Sequence, residues 1–226
     1  MCDCFRGKFV VYFLRRFFDM YDGIIFDIDG TLWDSRKGVA ESWNQAIREN
    51  TNLDITLYYE ELGKLFGRPM IEIFKAIFPD MDENEMEKLI PVFYTYEHRY
   101  LAENPPALYE GTEKVLKVLS ARYPLFIVTN AQKGYIECLF KATGIQKYFT
   151  DWLCYGDTKQ DKDVTMKMLV EKNGLKKPVY IGDTQGDFNS CKKAGVPMIY
   201  AAYGLGEVEK PETTINSITE LLNILR

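Results

Sequence analysis

An α/β fold, with a parallel sheet core flanked by helices and an all-helical insertion, is what this sequence predicts, and three observations carry the prediction. Short apolar runs at 24–26, 125–128 and 179–181 each stop at polar residues and a turn, as buried parallel strands do. Helical periods separate the later runs from one another. Between residues 34 and 106 the texture is helical throughout, with no buried strand.

The first strand sets the chemistry. In Ile24-Ile25-Phe26-Asp27-Ile28-Asp29-Gly30-Thr31-Leu32 an apolar run delivers Asp27 and Asp29 to its carboxyl end, where α/β sheets hold their sites. Strand alternation sends both carboxylates to the same side and Ile28 to the other. Two carboxylates at one strand tip repel, which invites a shared proton or a divalent cation. A plain strand ending in an Asp-Gly turn accounts for Asp29 and Gly30, but not for Asp27 inside the apolar run. Upstream, residues 1–20 read as an N-terminal extension in which aromatic residues alternate loosely with Arg6, Lys8, Arg15 and Arg16. Its longest apolar run, Phe9 to Leu14, is too short to span a bilayer and lacks the features of a signal peptide. A basic amphipathic segment of this kind can lie on a membrane surface or cover an apolar patch, and Met20 is an alternative start.

After the first strand come helical patterns. Val39, Trp43 and Ile47 recur every fourth residue, Leu57 to Phe66 and Met70 to Phe78 form two more amphipathic runs, and a fourth runs from a cap-like Asp82, with Glu85 three residues on, to Asn104. Gly67 and Pro69 interrupt the pattern around Arg68, which therefore belongs to a turn. Pro105-Pro106 closes the region. The α/β texture resumes with a helix from Gly111 to Ser120 and a strand ending in Thr129-Asn130. A hydroxyl and an amide at a strand's carboxyl end can hold a phosphate oxygen, although Thr-Asn is also ordinary turn chemistry. Trp152 to Tyr155 reads as a third strand, followed by a loop from Gly156 to Asp163 that carries Lys159 and Lys162. The run Pro178 to Gly182 ends in Asp183, with Asp187 four residues later, and a helix from Phe188 closes at Gly195. Pro197 to Tyr200 is a fifth strand, and Ser217-x-x-Glu220 starts a last packing helix.

Composition narrows the function. A chain of 226 residues with 46% apolar content can bury a core, and its net charge of −5, without a basic stripe, argues against nucleic-acid binding. Five mostly isolated cysteines fit a reducing compartment, hence the cytoplasm. The single histidine, His98, reads as a helix-surface residue and leaves Ser-His-Asp catalysis and multi-histidine zinc sites little to build on.

Asp27-x-Asp29-Gly30-Thr31 after a strand, Thr129-Asn130, a lysine before a helix and Gly182-Asp183 with Asp187, in that order, together resemble the haloacid dehalogenase superfamily, in a form with a helical cap inserted after the first strand and similar to phosphoglycolate phosphatases. The resemblance implies a Rossmann-like core at 21–34 and 107–226 and a helical cap at 35–106. It makes Asp27 a nucleophile that becomes an aspartyl phosphate, Asp29 the general acid and base, and Thr129 and Asn130 phosphate-binding residues. The phosphate lysine is Lys162, directly ahead of its helix, or its rival Lys159. Asp27, the backbone carbonyl of Asp29 and Asp183 would hold a metal, for which oxygen-only ligands suggest Mg²⁺, with Asp187 orienting them. Because relatives that lack a second Asp or carry Thr there do other chemistry, Asp29 favours phosphate-ester hydrolysis of a small phosphorylated metabolite. Two alternatives stay open: a phosphomutase of the β-phosphoglucomutase type, and a non-catalytic phospho-dependent signalling module. Arg68 is either a turn arginine in solvent or, if its turn closes over the site, a fork for an anionic group of the substrate. No membrane partner is expected, and oligomeric state is not legible.

Overall fold

The computed structural model describes residues 21–225, so the readings made of residues 1–20, Cys2 and Cys4 included, lie outside the described residues. A parallel sheet forms from β1 (Gly23–Phe26), β2 (Leu125–Thr129), β3 (Asp151–Cys154), β4 (Pro178–Gly182), β5 (Met198–Ala201) and β6 (Thr213–Ile215), in the spatial order β3-β2-β1-β4-β5-β6. This is the Rossmann-like order, whose direction reverses between β1 and β4. At that switch point Phe26 pairs with Ile181, and the chain leaving β1 is held by a hydrogen bond from Asp27 N–H to Ile181 O at 2.9 Å.

The near-continuous apolar strands are explained by burial on both faces. Ile24, Phe26, Ile127 and Ile181 pack into one core with α5 (Thr112–Ser120) and α6 (Tyr135–Thr143). Their neighbours Ile25, Phe126, Val128 and Tyr180 point to the other face, against Met166 and Leu169 of α8 (Lys162–Lys172) and Cys191 of α9 (Gln185–Ala194). A single turn of helix, α7 (Tyr155–Thr158), follows β3.

Between β1 and β2 the chain forms α1 (Arg36–Asn50), α2 (Tyr59–Gly63), α3 (Met70–Ile77) and α4 (Glu83–Glu103). Their apolar stripes meet in an aromatic cluster: the Phe74 and Phe93 rings lie 4.8 Å apart and those of Trp43 and Phe93 lie 5.6 Å apart. Asp82 caps α4 by accepting from Asn84 N–H at 2.8 Å.

Several local expectations are corrected. β1 stops at Phe26, so Asp27 and Asp29 sit in the turn beyond it and strand alternation does not govern where they point. The run from Leu57 to Phe66 yields only the short α2, because the chain turns through positive φ at Gly67 before Pro69. α9 begins at Gln185 rather than Phe188, since Thr184 and Asp187 form a capping box. The last helix is a 3₁₀ turn plus a single α turn, α10 (Leu221–Ile224); the Ser217 hydroxyl pairs with Thr219 at 2.8 Å instead of capping. β6 is a three-residue Thr-Thr-Ile strand without the apolar run that would predict it. His98 is half-buried between α4 and α6, with Gln132 Nε2 at 3.1 Å from its ring, rather than on the helix surface. No helix among the described residues is long and apolar enough to cross a membrane.

Candidate active site

The turns leaving β1 and β4 bring Asp27, Asp183 and Asp187 together. One carboxylate oxygen from each lies within 4.8 Å of the others, and all three residues are buried. Lys162, at the first position of α8, enters the same cluster with 3% exposure. Its ammonium donates to Asp187 Oδ1 at 2.6 Å and lies 3.2 Å from Asp27 Oδ1. Lys159, the rival, is exposed, in a left-handed conformation at the end of α7, with its ammonium over the Tyr155 ring.

The carboxylates differ in how fully they are used. Asp187 is saturated: Oδ1 accepts from Lys162 and from Tyr180 O–H at 3.3 Å, and Oδ2 accepts from the Thr184 hydroxyl at 2.7 Å and the Thr184 N–H at 3.1 Å. Asp183 accepts one bond per oxygen, from the Thr31 hydroxyl at 3.2 Å and the Leu205 N–H at 2.8 Å. Asp27 Oδ1 is buried and accepts no hydrogen bond, and it faces the Lys162 ammonium as an ion pair at 3.2 Å. Gly30 and Gly204 close around Asp183 so tightly that a Cβ at either would collide with it.

The charges follow from this geometry. Burial, with Lys162 opposing it and Asp187 and Asp29 adding to it, pushes Asp27 up to about 7. Burial and the neighbouring Asp187 and Asp27 push Asp183 well above the ordinary carboxylate range. Burial opposes ionisation of Asp187 as well, but there the Lys162 charge and the Lys162 and Thr184 hydrogen bonds prevail and hold it low. Burial works against the Lys162 charge too, and Asp187 and Asp27 together lift its pKa above the ordinary value. An orphaned oxygen and repelling, under-used carboxylates with only oxygen donors form a set that a hard divalent cation fits.

Asp29 has a different environment. Its Oδ1 accepts from Ser35 O–H at 2.5 Å, Tyr135 O–H at 2.7 Å and Trp33 Nε1–H at 2.9 Å. Burial raises its pKa even against these donors. Trp33 and Ser35 lie within six residues of Asp29 but carried no recognised signal, and Tyr135 comes from the far side of the sheet's first crossover.

A narrow cavity of about 60 Å³ opens between the strand tips and the helical insertion. Asp27, Asp29, Thr129 and Asn130 line it from the sheet, and Trp43, Arg68 and Glu97 from the insertion. Asn130 spends its amide on the insertion, donating to Gly67 O at 2.6 Å, which holds the Arg68 turn over the sheet edge. Arg68 itself is exposed at the rim. Sequence reasoning also missed Glu97, which sits 4% exposed on α4.

Residues 24–201 match the haloacid dehalogenase-like hydrolase family. A phosphoglycolate phosphatase of Vibrio parahaemolyticus is 28% identical over 89% of this chain and 95% of its own length. The pyrophosphatase PpaX of Oceanobacillus iheyensis is 24% identical over 89% and 95%. Among solved structures, a haloacid dehalogenase-like family hydrolase of Streptococcus pneumoniae superposes with a TM-score of 0.79 at 20% identity, covering 91% of this chain and 98% of that one, and shares the fold.

Proposed function

The chain belongs to the haloacid dehalogenase-like hydrolase family, and from that premise we propose that it is a Mg²⁺-dependent phosphatase that hydrolyses a small phosphorylated metabolite through an aspartyl phosphate on Asp27. The observation that carries this reading is the contrast between two carboxylates two residues apart. Asp27 lies against the Lys162 cation and the like charges of Asp183 and Asp187, with an oxygen that accepts no hydrogen bond, whereas Asp29 is enclosed by the neutral donors Ser35, Tyr135 and Trp33. A carboxyl beside fixed cations suits a nucleophile, and one held by neutral donors suits a proton donor.

Asp27, the Asp29 carbonyl and Asp183 would hold Mg²⁺, which supplies the positive charge that keeps Asp27 ionised and screens it from an anionic substrate. Lys162 adds a buried cation beside Asp27, and Asp187 and Thr184 hold that lysine in position. Asp27 attacks phosphorus in line as protonated Asp29 gives its proton to the leaving alkoxide. Asp29 then takes a proton from the water that cleaves the acyl phosphate. Thr129 and Asn130 bind the phosphoryl oxygens, with Asn130 also tying down the cap turn. Arg68, exposed at the rim, draws in the phosphate dianion. We divide the chain into a core at 21–34 and 107–226 and a cap at 35–106, with the cavity between them closing over the substrate. Its volume lies far below that of drug-sized sites, which supports a small leaving group. We place the reaction in the cytoplasm.

The test is phosphate release from a panel of small phosphate monoesters with Mg²⁺, for the native protein and Asp29→Asn. Native turnover is expected. Asp29→Asn is expected to fail on alkyl esters and, with a good aryl leaving group, to release one equivalent of phenol and then stall. Steady turnover of both ester types by the variant would remove the acid and base role.

A further inference from the structure

Resting on the phosphatase reading above, we infer that Glu97 determines specificity: its buried carboxylate turns away leaving groups that end in a carboxylate and accepts those that end in a hydrogen-bond donor, a hydroxyl or an ammonium. Glu97 lines the cavity opposite the strand tips that carry Asp27 and Asp29. It cannot swing aside, because Trp43 Nε1–H donates to Oε2 and Gln132 Nε2–H to Oε1, each at 2.7 Å. Those bonds take one acceptor site on each oxygen and leave the others for a ligand's donor. They also spend the Trp43 and Gln132 donors that an incoming carboxylate would need. None of the groups that set the Glu97 ionisation is a cation: burial dominates and, with the charge of Asp29, pushes it up to about 7 against the two hydrogen bonds. Above that value it is ionised, and a second anion beside it is repelled.

Val39, Met70 and Ile73 supply apolar walls around this carboxylate, so a short carbon skeleton with a donor at its end matches the cavity. Arg68 carries the opposite charge, but the two differ in setting. Arg68 stands in water at the rim, where solvent and salt screen it, while Glu97 is 4% exposed and acts through a lower dielectric. For the end of the leaving group that reaches inward, Glu97 outweighs Arg68.

The experiment compares kcat/KM, with Mg²⁺ and the full chain at a pH above the Glu97 value of about 7, for three esters on one two-carbon skeleton: phosphoglycolate, 2-hydroxyethyl phosphate and phosphoethanolamine. The aryl ester p-nitrophenyl phosphate serves as reference. Phosphoglycolate is expected to fall at least about tenfold below the better of the two donor-ended esters, and the ranking of those two tells hydroxyl from ammonium. Glu97→Gln keeps an acceptor for Trp43, and Gln132 can turn its amide over to accept. This variant is expected to bring phosphoglycolate to within about threefold of 2-hydroxyethyl phosphate. Native turnover of phosphoglycolate equal to or above the donor-ended pair overturns the inference, as does a variant that changes all three esters by one factor. The native ranking decides the matter if Glu97→Gln does not fold. Failure to release phosphate from any ester, p-nitrophenyl phosphate included, overturns the phosphatase reading and this inference with it, whereas release without discrimination overturns this inference alone.

Discussion

The sheet edge and the helical insertion face each other across one cavity, yet they handle charge in opposite ways. At the sheet edge Asp27, Asp183 and Asp187 crowd together with the buried Lys162 paired to Asp27 and Asp187, and an oxygen of Asp27 accepts no hydrogen bond. On the insertion side, Glu97 is buried among neutral donors and Arg68 stands in water. The edge concentrates like charge that only cations can neutralise, which suits a reaction on a phosphate dianion. The insertion keeps its charges apart, which suits sorting of the rest of the substrate. The difference teaches that burial alone does not mark a reacting group: Asp27 and Glu97 are both pushed up to about 7, and their partners tell them apart.

The sharpest way to break this comparison is Asp27→Asn. An amide cannot serve as the anionic nucleophile, so phosphate release should fall by about 10⁴-fold or more while circular dichroism shows an intact fold. Release near the native rate would move the chemistry away from the sheet edge. Lys162→Met should follow in size. It strands Asp27 and Asp187 without their cation, at a cost of about 3–5 kcal/mol in urea unfolding, typical of a broken buried pair. An unfolding curve unchanged from native would mean that the pair does not hold the edge together.

A titration probes both regions more gently. Asp27 and Glu97 have folded pKa values raised by burial, so between about pH 4 and 7 the folded state binds more protons than the unfolded one, and stability falls as pH rises. Asp187, held low, has the opposite sign: it stabilises above about pH 4 and loses that contribution only in stronger acid. In EDTA the Tm should therefore drop from about pH 5 to pH 8, and Mg²⁺ should recover more of it at the upper end, where its ligands are ionised. A Tm that rises over this range, or Mg²⁺ recovery larger in acid, would contradict the placement of charge. The smallest effect is expected from Arg68→Ala. An exposed contact is worth about 0.2–1 kcal/mol, so KM should rise by no more than about fivefold for every phosphate monoester alike. A loss confined to one class of leaving group would instead give Arg68 a share in sorting.

Some of this was legible in the residues themselves. The apolar runs marked β1, β2 and β4, because a strand buried on both faces needs apolar side chains at every position, and polar residues at each run's end marked the edge where a site forms. Asp27, Asp29, Asp183 and Asp187 stood out as carboxylates where such runs stop. Caps are local, so Asp82 and Gly195 were readable as well. Other features depended on which elements become neighbours, and helical periodicity says only that a face is buried, not against what. Strand order brought Asp183 beside Asp27, across 156 positions of sequence. Packing of α8 under the sheet carried Lys162 inward and left Lys159 outside, although they are only three positions apart. β1 ended one residue before Asp27, so the turn, not strand alternation, directed Asp27 to the lysine and Asp29 to Tyr135. Glu97 carried no sequence signal because a glutamate in the middle of a helix is ordinarily solvated. Only the docking of α4 over the strand tips, with Trp43 and Gln132 supplying its donors, makes it a buried carboxyl group facing a cavity.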